Sequence, residues 1–274
     1  MLSPVKKASL HFSLGLSHFE LKNYQEASDQ MRQCLLKRKQ PGLSPINTDI
    51  HTAAPQHCLA LCLSKLGDLA GAEKAFLAAL TETGRTEEVK VDYAKFLTAQ
   101  KRHLDALNQL NEVIAQNARH TIAWRLGGEI ALSQPEFLEF ARDWTGEAMR
   151  NLAEDIAITA QRAEALMLSG DTASARDLWE RIYSCDPQPR ALAALILCEA
   201  SELQLKHAPD DDAQEMAASR EFVVWYQKLL VIKAQPALER LNEHTEMLAS
   251  ALPSAAGIIE KALYEAENCQ PATA

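Results

Sequence analysis

A chain of 274 residues with 47% hydrophobic and 24% charged side chains holds enough apolar material to bury a core, which excludes an intrinsically disordered protein. The formal net charge of -9 argues against general attraction to nucleic acid or an anionic membrane surface, since both need clustered Lys and Arg. With only 10 Gly and 11 Pro, and with Ala, Leu and Glu recurring throughout, the composition favours helices over strands.

From the start of the chain, Met1 to Lys7 leads into Ser9, His11 and Ser13 instead of an apolar run of signal-peptide type. No later stretch approaches the ~20 apolar residues that cross a bilayer. The six cysteines, Cys34, Cys58, Cys62, Cys185, Cys198 and Cys269, are scattered in a chain too large to need disulfide staples. These features together predict a cytoplasmic protein with reduced thiols.

The first helical unit, near 8-38, places Gly15 in one helix and Ala27, Met31 and Cys34 on one face of a second, with a turn at Lys22-Asn23-Tyr24. It ends in Lys37-Arg38-Lys39, where positive charge complements a helix C-terminus. Residues 40-49, rich in Pro, Gly and Asn, read as an inserted loop, either a tolerated surface insertion or a binding loop. The unit near 53-84 repeats the pattern with Ala60, Ala72, Phe76 and Ala79 about a turn at Leu66-Gly67-Asp68.

Cys58 and Cys62 share a helical face beside His51 and His57, but a helical C-x3-C without a second ligand pair lacks the spacing of a structural zinc site. Both cysteines are therefore read as small core residues, with no metal.

The third unit, near 87-118, carries Ala94, Ala106, Leu110 and Val113 about Gln100-Lys101-Arg102. In the fourth, near 121-153, Gly128, Ala141 and Ala148 keep the pattern, but Thr145 stands where a bulky residue is expected and Ser133-Gln134-Pro135 lacks a Gly or Asp turn. Leu126-Gly127-Gly128-Glu129 has neither the strand nor the third glycine of a dinucleotide loop, so Gly128 is assigned to close helix packing. The fifth unit, near 156-187, offers Ala163, Ala175, Trp179 and Ile182, a turn at Ser169-Gly170-Asp171 and a closing Pro187. Trp124, Trp144, Trp179 and Trp225 are read as packing residues.

The first small residues, Gly15, Ala60, Ala94, Gly128 and Ala163, are spaced by 45, 34, 34 and 35 positions, and the second set, Ala27, Ala72, Ala106, Ala141 and Ala175, by 45, 34, 35 and 34. Such a period marks an array of helix pairs, each too small to bury its apolar face alone.

After the array, an apolar helix over 191-205 is followed by a break at His207 to Asp212. The Asp210-Asp211-Asp212 run lacks the ligand spacing of a calcium loop and reads as a solvated linker. Further helices are predicted over 213-234, between Pro236 and Pro253, and over 254-268. His244 lies outside any H-E-x-x-H pattern and is expected to be exposed. Residues 188-268 are expected to cap the array, and 269-274 to form a disordered tail.

His11, Leu14, Gly15, His18, Ala27 and Met31 of the first unit, and Ala163, Leu166, Ala175, Trp179 and Pro187 of the fifth, resemble the tetratricopeptide-repeat motif. The resemblance covers residues 8 to 187. It implies an all-α fold, a right-handed α-solenoid of about five antiparallel helix pairs with C-terminal capping helices. It also implies a non-catalytic scaffold without cofactor, binding a protein or peptide along the first helix of each unit.

Carried over by position, the groove would hold Phe12, Leu16 and Phe19, then His57, Leu61 and Lys65, then Val91, Lys95 and Thr98, then Arg125, Glu129 and Leu132. Phe12 and Leu16 stand where chaperone-binding members carry Lys and Asn, which counts against capture of a terminal carboxylate. Alternatively, Phe12, Leu16 and Phe19 pack against the N-terminal segment. Residues 220-230 and 252-256 also look similar to the tails of bacterial repeat proteins, some fused to a family 2 glycosyltransferase domain, which implies as the alternative an accessory or regulatory repeat domain associated with a bacterial glycosyltransferase system.

Overall fold

A computed structural model describes residues 4-39 and 47-206, with Glu239, Glu243, His244 and Glu246. The helices expected over 213-234, 237-252 and 254-268, the disordered tail, the two segments similar to bacterial tails and most of the 40-49 insertion lie outside the described residues. The regular elements among the described residues are all helical: α1 (Pro4-Glu20), α2 (Tyr24-Lys37), α3 (Ala54-Leu66), α4 (Leu69-Leu80), α5 (Thr86-Ala99), α6 (His103-Gln116), α7 (Thr121-Leu132), α8 (Leu138-Asn151), α9 (Ile156-Leu168), α10 (Thr172-Cys185) and α11 (Pro189-Lys206). Short 3-10 turns at Thr48-His51 and Pro135-Phe137 precede α3 and α8. The chain divides into two compact units, Met1-Ala123 and Trp124-Ala274, with the division inside α7.

Four of the five turns within helix pairs share one construction. A residue in the left-handed region, Lys22 (φ 61°), Gly67 (φ 81°), Lys101 (φ 59°) or Gly170 (φ 83°), ends the first helix. The next amide then reaches back to a carbonyl of the last helical turn: Asn23 to His18 at 2.8 Å, Asp68 to Leu63 at 3.0 Å, Arg102 to Leu97 at 2.9 Å and Asp171 to Leu166 at 2.9 Å. This satisfies carbonyls that a helix end otherwise leaves unpaired. Asp68 and Asp171 also start the following helix, their carboxylates accepting from the amides of Gly71 and Ser174 at 3.0 and 3.3 Å.

The third unit lacks a turn glycine yet makes the same turn, with Lys101 bearing the left-handed backbone. The fourth departs from this construction. Pro135 removes an amide donor, and a 3-10 turn takes the place of the left-handed cap.

Within the first unit, α1 packs on α2, α3 on α4 and α5 on α6, while α2 and α4 carry the stack onward to α3 and α5. The small residues lie where the helices approach: Ala27, Ala60, Ala72, Ala94 and Ala106 are fully buried. Met31, Phe76 and Leu110 fill the space beside them, each such burial contributing roughly 1.5-3 kcal/mol. Phe76 joins Tyr93 and Phe96 in a ring cluster with centroids 5.2 and 5.5 Å away.

At the end of α2, the Arg38 guanidinium donates to the carbonyls of Ile50 (2.9 Å) and Thr52 (3.1 Å) and pairs with both oxygens of Glu82 (2.5 and 2.9 Å). The basic run expected only to complement a helix end thus supplies a specific clamp.

Within the second unit, α8 packs on α9, α9 on α10 and α10 on α11. The bulky residue absent at Thr145 is supplied one position earlier by Trp144, 5% exposed, whose indole meets Trp124 edge-on at 4.9 Å. Thr145 instead returns its hydroxyl to the Ala141 carbonyl at 2.7 Å. Gly127 makes room for the indole, because a Cβ there would lie 2.2 Å from Trp144 Cζ2. The sequence-based assignment of close packing to Gly128 therefore extends to its neighbour. At Gly128, the added carbon would meet the Gln161 amide at 2.4 Å.

Candidate functional site

The twelve groove positions fall into three groups by burial. Phe12, His57, Val91 and Leu132 are buried; Phe19, Leu61 and Thr98 are half-buried; Leu16, Lys65, Lys95, Arg125 and Glu129 are exposed. The Phe12 side chain is 3% exposed, so it acts as a packing residue. Phe19 sits edge-on to Tyr24 at 5.6 Å across the turn of the first pair. Thr98 spends its hydroxyl on the Ala94 carbonyl at 2.8 Å.

In the first unit, α3 and α5 bring together a polar trio that sequence reasoning named only in part. His57 Nε2 lies 3.0 Å from Asp92 Oδ2, and Lys95 Nζ lies 2.8 Å from Asp92 Oδ1. Burial pushes the Asp92 carboxyl up, but its hydrogen bonds with His57 and Lys95 outweigh that and hold it below the usual carboxylate range. Asp92 occupies the place after Val91, outside the groove set, so only the spacing of three to Lys95 could have drawn attention to it.

Cys58 and Cys62 are both buried, while the His57 ring turns to Asp92. Among the described residues, no three His, Cys, Asp or Glu side chains are grouped to hold a metal ion.

In the second unit, Arg125 projects from α7 and forms a two-pronged pair with Asp155, Nη2 to Oδ2 at 2.6 Å and Nε to Oδ1 at 3.2 Å. Asp155 also starts α9 by accepting from the Ile158 amide at 3.1 Å. Its burial raises the carboxyl, but the Arg125 guanidinium and the helix amides hold it below the usual range. Glu129, one turn further along α7, forms no ion pair among the described residues.

In the fifth repeat, the place equivalent to Leu16, Leu61, Lys95 and Glu129 belongs to Glu164, which is 1% exposed. Arg190 of α11 donates to its Oε1 through Nε (3.0 Å) and Nη2 (2.5 Å). His244 lies 4.0 Å from the other oxygen and is 3% exposed, so the expectation of an exposed histidine is corrected. Its spacing to neighbouring glutamates gave no sign of a partner eighty positions earlier.

The repeated pairs with small residues at their contacts are matched by solved structures. The C-terminal part of a tetratricopeptide-repeat protein from Cytophaga hutchinsonii superposes with a TM-score of 0.62 at 13% identity, over 91% of this chain and 98% of that one. The chain has the tetratricopeptide-repeat fold. A tetratricopeptide-repeat protein from Parabacteroides merdae matches with a TM-score of 0.58 at 14% identity, over 96% of this chain and all of its own.

YrrB, described as a tetratricopeptide-repeat protein with an unusual peptide-binding site, matches with a TM-score of 0.50 at 14% identity, over 69% of this chain and 92% of its own. No protein-family model and no curated protein sequence matches the chain. No tetratricopeptide helix among the described residues is long and apolar enough to cross a membrane.

Proposed function

We propose that this protein is a cytoplasmic, non-catalytic scaffold that binds a partner protein or peptide along the first helices of its repeats. The observation that carries this reading is that helix-pair stacking leaves five of the twelve first-helix positions exposed: Leu16, Lys65, Lys95, Arg125 and Glu129. Lys65 and Glu129 have no ion-pair partner among the described residues, so their charges remain available to a ligand. Within the Met1-Ala123 unit, an apolar site at Leu16 and Phe19 together with charged sites at Lys65 and Lys95 suits a peptide with apolar and charged side chains. The buried members Phe12, Val91 and Leu132 serve this surface by fixing the helices that present it.

The test begins with capture of partners on the full chain and their identification by mass spectrometry. Binding of a purified partner is then measured with Leu16→Asp, Lys65→Glu and Glu129→Lys, each checked for native helicity. Loss of affinity in these variants, with little change for Lys74→Glu on α4, supports the reading. Parent-like affinity in all three overturns it.

A further inference from the structure

A second surface in the Trp124-Ala274 unit has chemistry of its own. A cleft of about 200 Å³ is lined by Arg142, Asp143, Gly146, Glu147 and Arg150 of α8 and by Arg162 of α9. Positions 142, 146 and 150 repeat every four residues, so Arg, Gly and Arg form one stripe along α8. Gly146 is the gap in that stripe, and Arg162 lies over it: a Cβ at 146 would be 3.2 Å from Arg162 Nη1. That nitrogen donates to the Arg142 carbonyl at 2.6 Å, which fixes the guanidinium across α8.

None of the three guanidiniums forms an ion pair among the described residues, although Asp143 and Glu147 line the same cleft. Arg32, Arg38, Arg102, Arg125, Arg176 and Arg190 each hold a carboxylate, while Arg85, Arg119 and Arg181 are likewise without an ion pair among the described residues but do not line this cleft. Burial and the neighbouring charges of Arg142 and Arg150 both weaken protonation of Arg162. A nearby negative charge would relieve both effects.

We infer that this cleft binds an extended acidic segment of a partner protein, with carboxylates at alternate residues meeting Arg142, Arg162 and Arg150 in turn. The spacing favours this occupant over a single small anion. Four residues of helix advance ~6 Å, so Arg142, Gly146 and Arg150 follow one another ~6 Å apart along α8, with the Arg162 guanidinium over the middle one. Alternate side chains of an extended strand repeat every ~6.6 Å on one face. Guanidinium groups also accept carboxylates through paired hydrogen bonds. The surface is distinct from the first-helix positions above, and the inference stands whether or not those bind a partner.

The experiment uses the full chain and a fluorescein-labelled pentapeptide that alternates glutamate and serine, followed by fluorescence anisotropy. The expected result is saturable binding that weakens with added salt and loses roughly tenfold in affinity in the Arg142→Gln/Arg150→Gln double variant. Both arginines are exposed, and circular dichroism checks that the variant keeps its helices. The inference is overturned if the peptide does not bind, if an alternating glutamine-serine peptide binds equally, or if the double variant binds like the parent. Displacement by inorganic phosphate at concentrations equivalent to the peptide would also overturn it, by showing a point site for any oxyanion.

Discussion

The indole nitrogen of Trp144 donates to the backbone carbonyl of Trp124 at 2.9 Å, although that carbonyl lies within α7. One residue further along, Gln161 of α9 donates its amide to the Arg125 carbonyl at 2.7 Å. Successive carbonyls of one helix are thus read by side chains from both neighbouring helices, through the openings left by Gly127 and Gly128.

Filling the first opening should be costly. Gly127→Ala places a carbon 2.2 Å from the Trp144 ring, and a ring pinned by its hydrogen bond has little freedom to retreat. Urea denaturation should show a loss of about 1-3 kcal/mol, of the size expected for overpacking. Trp144→Phe should cost about 0.5-1.5 kcal/mol for its lost hydrogen bond, with the smaller ring's lost contacts added to that. A Gly127→Ala variant as stable as the parent would mean that the indole does not occupy this gap.

Lys22 and Lys101 hold the left-handed backbone that glycine holds at 67 and 170. Both are exposed, so removing their side chains sacrifices little packing. Lys22→Gly and Lys101→Gly should each stabilise the protein by about 0.5-1 kcal/mol, the relief of the left-handed strain less the added flexibility of the unfolded chain. Melting temperatures below that of the parent would show that these turns relax in solution.

The Asp92 carboxyl is held below its ordinary range, so its ionisation favours the folded state. This contribution is fully present above the unfolded carboxylate value of ~3.9 and disappears as pH falls through the lower folded value. Asp92→Asn should therefore be less stable than the parent at pH 7, with the difference narrowing at pH 3. Urea titrations at both pH values make the comparison, and an unchanged difference would exclude the ionised carboxylate as its source.

Among the described cysteines, Cys185 is exposed while Cys34, Cys58, Cys62 and Cys198 are buried. Burial pushes the Cys34 thiol up to about 11, opposed only in part by Arg38, while the neighbouring Cys62 thiol and burial hold Cys58 above the ordinary thiol range. In a Cys269→Ser background, a thiol reagent should titrate one cysteine rapidly in the native protein and five after unfolding in urea. Rapid native reaction at Cys58 or Cys62 would show that α3 opens readily.

The helix pairs were legible because their determinants are local or periodic. Ala27, Ala72, Ala106, Ala141 and Ala175 recur at nearly constant spacing, and each is fully buried. The shift from Thr145 to Trp144 went unread, although Trp144 stands 34 residues after Leu110 and 35 before Trp179. Exposure at the groove positions was not legible. Val91 and Lys95 lie on one helix four residues apart, yet one is 4% exposed and the other projects into solvent.

That contrast depends on how the neighbouring helices α4 and α6 lie against α5, an orientation that no single helical pattern encodes. The partners of His57, Arg125 and Glu164 are hidden for the same reason, lying 35, 30 and 26 positions away. A pattern of apolar periodicity identifies which face is buried, but says little about which polar atoms meet there.

Arg38 holds together the two flanks of the 40-49 segment, because it is anchored in α2 and bonded to the chain at Ile50 and Thr52. Chain length between those flanks consequently has little bearing on how the first two helix pairs meet. Doubling the intervening length costs only about 0.6 kcal/mol in closure entropy. The segment is thus a natural splice point, where a fluorescent reporter or an affinity tag could be threaded into the protein while both of its termini remain free.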